Sequence, residues 1–188
     1  MNSMSTPLRL ALVALLGLTL VAGCGGGEEN SAAADAGGAP AGTAFGSTEG
    51  SVAPDFTLPR LAGGELSLSQ FRGKAVIVDF WDTWCPPCRR ALPHLQELSQ
   101  TYAGDLVVIG VAFGQEGEQK VRSYTAENGL TFEIVLFQES SSILQDFGGI
   151  QSIPTTFLID RDGVIRKKWV GAADKDAYEA AIVAAIGS

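Results

Sequence analysis

The sequence predicts an α/β fold in which a central mixed β-sheet is flanked by helices. Three observations carry this. Strand-like and helix-like runs alternate from residue 75 to the end of the chain, which is the pattern of an α/β sheet. The first strand-like runs are apolar on consecutive residues, as expected of central strands covered on both faces. The last two are joined through Arg161-Asp162-Gly163, where Asp-Gly signals a tight hairpin, so that edge is antiparallel and the sheet is mixed.

The first strand, 75–81, reads Ala-Val-Ile-Val-Asp-Phe-Trp. A helix over 86–102 follows, with Pro86 and Pro87 in its first turn, where missing amide hydrogens are not required. Pro93 lies inside this helix and predicts a kink. A second apolar strand spans 106–112, and a helix over 118–128 stops at Asn128-Gly129. Further strands are expected at 132–137, 155–160 and 164–170, with helices at 141–147 and 174–186. No internal repeat is visible.

The N-terminal segment is of a different kind. Arg9 is the only charge before Glu28, and it precedes an uncharged apolar run over 10–22. Such a run is too short to span a bilayer, which takes about 20 residues, and it has the length of a signal-peptide core. It ends Leu20-Val21-Ala22-Gly23-Cys24, which resembles the lipobox of bacterial lipoproteins. The resemblance implies a signal peptide over 1–23, removed to leave Cys24 lipidated and the protein held to a membrane by that anchor. Gly25, in place of an aspartate, favours the outer membrane where the cell has one. The alternative is an ordinary signal peptide cleaved nearby, with Cys24 incidental. Residues 24–51 are mostly Gly, Ala, Ser, Thr and Glu, too polar and small to offset the entropy of ordering. They predict a flexible tether spanning on the order of 25 to 30 Å, and 52–188 the folded domain.

Charge and cysteine count narrow the function. With residues 1–23 removed, 12 basic residues face 21 acidic ones, a net charge of −9. Such a surface does not seek nucleic acid or anionic headgroups by electrostatics. Of three cysteines, Cys85 and Cys88 can pair, and lipidation of Cys24 removes the odd thiol. Export would put the pair where disulfides persist. The segment Trp84-Cys85-Pro86-Pro87-Cys88 joins an apolar strand to a helix. A thiol at a helix N-terminus feels unsatisfied amides and the positive dipole end, which favour thiolate and lower its pKa from about 8.5. The second thiol, one turn along the same face, is close enough for a disulfide. Cys85 is therefore expected to expose a nucleophilic sulfur, with Cys88 behind it as the resolving group. That is a redox site.

Strand–helix order, the Trp-Cys-Pro-Pro-Cys junction and Ile153-Pro154-Thr155-Thr156-Phe157 together resemble the thioredoxin superfamily. Within it the chain resembles the TlpA/ResA group of membrane-tethered extracytoplasmic thiol–disulfide oxidoreductases. Residues 53–58 and 66–74 match that group's N-terminal β extension, and 115–147 its helix–strand insertion. The resemblance implies a thioredoxin fold and a mechanism. Cys85 attacks a substrate disulfide, Cys88 displaces the reduced substrate, and an upstream membrane dithiol donor resets the pair. No cofactor is implied. Asp79 matches thioredoxin's buried aspartate, a proton acceptor for the resolving cysteine; most of the group carry asparagine there. Many also carry a helical acid where Ala91 stands. A carboxylate on an apolar strand should be desolvated with a raised pKa; the alternative is an aspartate solvated at the strand end. Pro154 matches the superfamily's cis-proline, which turns the backbone of Ile153 toward the sulfurs to pair with substrate; the alternative is a trans turn proline. Trp84, Pro86 and Pro87 complete the implied substrate surface, and Trp81 is expected in the core.

The expected substrates are disulfide-bearing proteins, such as apocytochrome c or misoxidised chains. The competing readings are a non-catalytic binding lipoprotein with a structural disulfide, or a disulfide oxidant or peroxidase. Zinc needs about four ligands, and beyond the pair only His94 and Cys24 are on offer. Haem attachment needs histidine where Arg89 stands. The peroxiredoxin threonine three residues before the reactive cysteine is Asp82 here.

Overall fold

The computed structural model describes residues 45–187. The signal peptide, Cys24 and residues 25–44 lie outside the described residues. Two short strands, β1 (Thr57–Pro59) and β2 (Glu65–Ser67), open the domain as an antiparallel hairpin and lead into a 3₁₀ turn at Leu68–Phe71. Then come β3 (Ala75–Trp81), α1 (Pro86–Thr101), β4 (Leu106–Ala112), α2 (Glu118–Glu127), β5 (Glu133–Leu136) and α3 (Ile143–Asp146). The chain closes with β6 (Thr155–Ile159), β7 (Ile165–Val170) and α4 (Lys175–Ile186). The main sheet has the order β5-β4-β3-β6-β7. β3, β4 and β5 are parallel; β6 runs against both β3 and β7. β3 is thus the middle strand, and all seven of its residues are buried.

Alternation along β3 divides the core in two. Val76, Val78 and Phe80 face the layer of the N-terminal hairpin and α3, with Leu58, Leu66 and Phe147. There Phe80, Phe147 and Phe157 meet edge-on, with centroids 5.0 to 6.1 Å apart, pairs worth about 0.5 to 1.5 kcal/mol each beyond area burial. Ala75 and Ile77 face Leu95 and Leu98 of α1 and Tyr178 and Ile182 of α4. Trp81, at the end of that face, sits with Cys85, Cys88 and Leu92. Trp81 has room only because β4 carries glycine beside it. A Cβ on Gly110 would fall 2.8 Å from Trp81 Nε1 and 3.0 Å from the Phe132 ring.

The expected elements are all present, and β3 and β4 have the expected bounds. α3 is shorter than expected, four residues within 141–147. Pro93 lies inside α1, which runs on past it to Thr101. The 160–164 turn is closed by the Asp160 amide donating to Val164 O at 2.9 Å, with Gly163 at φ +84°. Residues 46–51, tether by composition, bond to the domain. The Gly50 amide donates to Ile165 O and the Ile165 amide to Ser51 O, at 2.8 and 2.9 Å. Backbone bonding to a strand thus orders residues too polar to do so by burial. On the opposite side of the sheet, the Leu61 amide donates to Ile134 O of β5 at 2.8 Å.

Candidate active site

The site forms where β3 ends and α1 begins. Cys85 is the N-cap of α1 in extended backbone, with Pro86 and Pro87 filling the first two helical positions. Neither proline has an amide hydrogen, so the first free amide of the helix is that of Cys88. It donates to Cys85 Sγ at 3.3 Å. The sulfur occupies the place of a serine or aspartate oxygen in an ordinary N-cap. A thiolate there would be held by a charge-assisted bond as well as by the helix end. The two sulfurs are joined as a disulfide, with Cα atoms 5.3 Å apart.

The expectation of an exposed Cys85 sulfur is not met in this disulfide form. Cys85 is only 2% exposed and Cys88 wholly buried. The carbonyl oxygen of Ile153 lies 3.6 Å from Cys85 Sγ, and the Ile153 side chain packs on the same cluster. The two cysteines still differ. Cys85 lines an open groove of about 440 Å³, and Cys88 does not. The groove walls are Trp84, Pro86, Pro87, Phe113, Ile150 and Ile153, with uncharged Gln115, Gln151 and Ser152. Trp84 is 47% exposed, against a fully buried Trp81. The Ile153–Pro154 bond is cis, as the resemblance implied. The structure thus gathers Trp84, Cys85, Pro86, Pro87, Cys88, Ile153 and Pro154 in one place.

Asp79 lies apart from the groove, inside the sheet layer. It is wholly buried and pairs across the ladder with Gly110 of β4 and Thr156 of β6. Thr156 Oγ1 donates to its Oδ1 at 2.7 Å, while Oδ2 is buried without a partner. Burial raises its pKa from the usual 3.8 to about 7, partly opposed by the Thr156 bond.

A second polar cluster, with no motif in the sequence to mark it, lies beside the site. Asp82, also wholly buried, accepts from the Thr83 amide at 2.7 Å and from the Gln115 amide at 3.1 Å. Thr83 Oγ1 donates to Glu116 Oε2 at 2.7 Å, and Arg89 Nε to Thr83 O at 2.7 Å. The loop before Cys85 is thereby tied to the β4–α2 loop and to α1. An acid directly after an apolar strand was the available signal; its partners, 33 residues on, were not readable. Among the described residues, no group of three or more His, Cys, Asp or Glu side chains is placed to hold a metal.

A model of the AhpC/TSA family matches residues 50–168. The chain belongs to that family. Its sequence is 38% identical over 133 residues to the thioredoxin-like protein YneN of Bacillus subtilis, covering 70% of this chain and 76% of that one. It is 39% identical over 127 residues to the thiol-disulfide oxidoreductase ResA of Geobacillus thermodenitrificans, covering 68% and 72%. Among solved structures, a thioredoxin-family thiol:disulfide interchange protein from Chlorobium tepidum aligns with TM-score 0.66 and 30% identity, over 72% of this chain and 95% of that one. StoA from Bacillus subtilis aligns with TM-score 0.59 and 27% identity, over 68% and 96%. The fold is the thioredoxin fold. With Cys85 and Cys88 bonded at the head of α1, this family member is a thiol–disulfide oxidoreductase.

Proposed function

We propose that the protein reduces disulfides of other proteins outside the cytoplasm, held to a bacterial membrane by a lipid on Cys24. The observation that carries the reading is the asymmetry of the bonded pair: Cys85 opens on an uncharged groove and Cys88 lies behind it. In the reduced enzyme, Cys85 thiolate attacks one client sulfur. A mixed disulfide forms, and the other client sulfur leaves with the bonding electron pair. Cys88, losing its proton to Asp79, then attacks Cys85 Sγ and expels the second client sulfur as thiolate. The client gains two electrons, the enzyme is left with the Cys85–Cys88 disulfide, and an upstream membrane dithiol returns it to the reduced state.

The surrounding residues serve this sequence. The Cys88 amide steadies the Cys85 thiolate. A carboxyl that titrates near neutrality is matched to a proton exchanged with a thiol at working pH. The Ile153 backbone beside Cys85, set by the cis bond to Pro154, offers an extended client segment a strand to pair with, and Trp84, Pro86 and Pro87 wall the apolar side of the groove. The relatives' named activity supports the exchange chemistry. The outward location rests on the N-terminal sequence, and among the described residues no helix is long and apolar enough to cross a membrane.

Reduction of insulin by a small dithiol tests the reading. Wild type accelerates it, Cys85→Ser does not, and Cys88→Ser accumulates mixed disulfides with insulin. Full turnover by either variant refutes the assignment.

A further inference from the structure

Asp79 is the end of a chain of hydrogen bonds that the exchange chemistry above does not use. The Ala173 amide donates to Tyr178 Oη at 3.4 Å. Tyr178 Oη lies 3.4 Å from Thr156 Oγ1, and Thr156 Oγ1 donates to Asp79 Oδ1 at 2.7 Å. Sheet register sets Thr156 opposite Asp79. Tyr178, wholly buried on α4, is held by its ring against Trp169 with centroids 4.9 Å apart.

The two ends settle the direction of this chain. An ionised carboxylate oxygen can only accept, so Thr156 spends its single hydrogen on Asp79 Oδ1 and takes the Tyr178 hydrogen on its own oxygen, while the Tyr178 oxygen accepts from the Ala173 amide. Oδ1 is therefore an acceptor in the charged carboxyl, and it stays one in the neutral acid while the hydroxyls keep this order. In the neutral acid a hydrogen on Oδ2, the oxygen with no partner among the described residues, leaves this order intact, whereas one on Oδ1 would have to reverse both hydroxyls.

We propose that Thr156 and Tyr178 are positioning residues for Asp79, a one-directional hydroxyl relay that occupies Oδ1 and makes Oδ2 the atom that takes and releases the proton. The proposal rests on the reading of Asp79 as the acid–base partner of Cys88. In the resolving step the Cys88 thiol hydrogen passes to Oδ2, Cys88 sulfur bonds to Cys85, and the client sulfur departs with the electron pair. Few other groups can compete. β4 presents Gly110 here, and α1 buries Cys88, Ala91, Leu92 and Leu95. β6 contributes Thr156, and α4 contributes Tyr178, whose own pKa is raised by burial, with a smaller contribution from the Asp79 charge.

The test is the titration of the Asp79 carboxyl, followed by carbon NMR in the disulfide form of the protein and assigned by its loss in Asp79→Asn. Thr156→Val keeps the shape and removes the donor, which should move the midpoint up by about one pH unit or more. Tyr178→Phe keeps the ring and should move it up by less, while Thr156→Ser restores the wild-type midpoint. The pH profile of insulin reduction should shift in step. Tyr178→Phe serves if Thr156→Val does not fold. Unmoved midpoints in Thr156→Val or in Tyr178→Phe overturn the relay. An unmoved activity profile in Asp79→Asn overturns the acid–base reading beneath it.

Discussion

Replacing Asp79 by asparagine should make stability less dependent on pH, in a direction that follows from burial. The folded protein holds the Asp79 proton up to about pH 7, and an ordinary carboxyl releases it near 3.8. Between those values the folded state binds more protons than the unfolded one, so stability falls as pH rises through the window. Three pH units at about 1.36 kcal/mol each put the loss on the order of 4 kcal/mol. Asparagine does not titrate and escapes this loss. It does place amide hydrogens where Oδ2 has no partner, at a cost of about 1 to 3 kcal/mol. Wild type should therefore be the more stable protein near pH 4, and Asp79→Asn the more stable well above pH 7, by roughly 1 to 3 kcal/mol. Urea unfolding of both disulfide forms across that range, followed by tryptophan fluorescence, measures the difference directly. Other titrating groups cancel between the two proteins. A difference that stays constant with pH would refute the buried, proton-holding carboxyl.

Gly110→Ala should lower stability by about 1 to 3 kcal/mol, because the added carbon meets Trp81 and Phe132 at 2.8 and 3.0 Å; a thermal melt reads it. Asp82→Ala leaves the Thr83 and Gln115 amides without their acceptor and should cost at least about 2 kcal/mol, with faster proteolysis of the loops it joins. Trp84→Ala removes a half-exposed wall of the groove. It should raise KM for a protein disulfide several-fold while leaving oxidation of a small dithiol unchanged.

The middle of the sheet was legible because its chemistry is local. Apolar runs over 75–81, broken only by Asp79, and over 106–112 leave little choice but central strands, and both have the expected bounds. Cys85, Cys88 and the prolines between them were legible for the same reason, since cap, turn and thiols are contiguous. Asp79 was visible as an acid on an apolar strand. Its donor was not, because Thr156 lies 77 residues away and only the β3–β6 register brings it alongside. Burial of Cys85 is not legible for a related reason: Ile153, which packs over it, comes from another loop. Phe113 and Ile150 in the groove wall carry no local signal of their role. The 46–51 segment reads as tether on composition, which registers side chains and is blind to main-chain pairing.

A five-stranded sheet open at both sides would ordinarily leave two rows of unpaired main-chain groups for a neighbouring molecule to join. Here N-terminal segments clasp part of each. Gly50 and Ser51 take the Ile165 positions on one flank, and Leu61 takes Ile134 on the other. Copies meeting flank to flank would find those positions already taken, which shortens the template left for strand exchange. A chain begun at residue 53 would lose the first clasp and be expected to self-associate along β7.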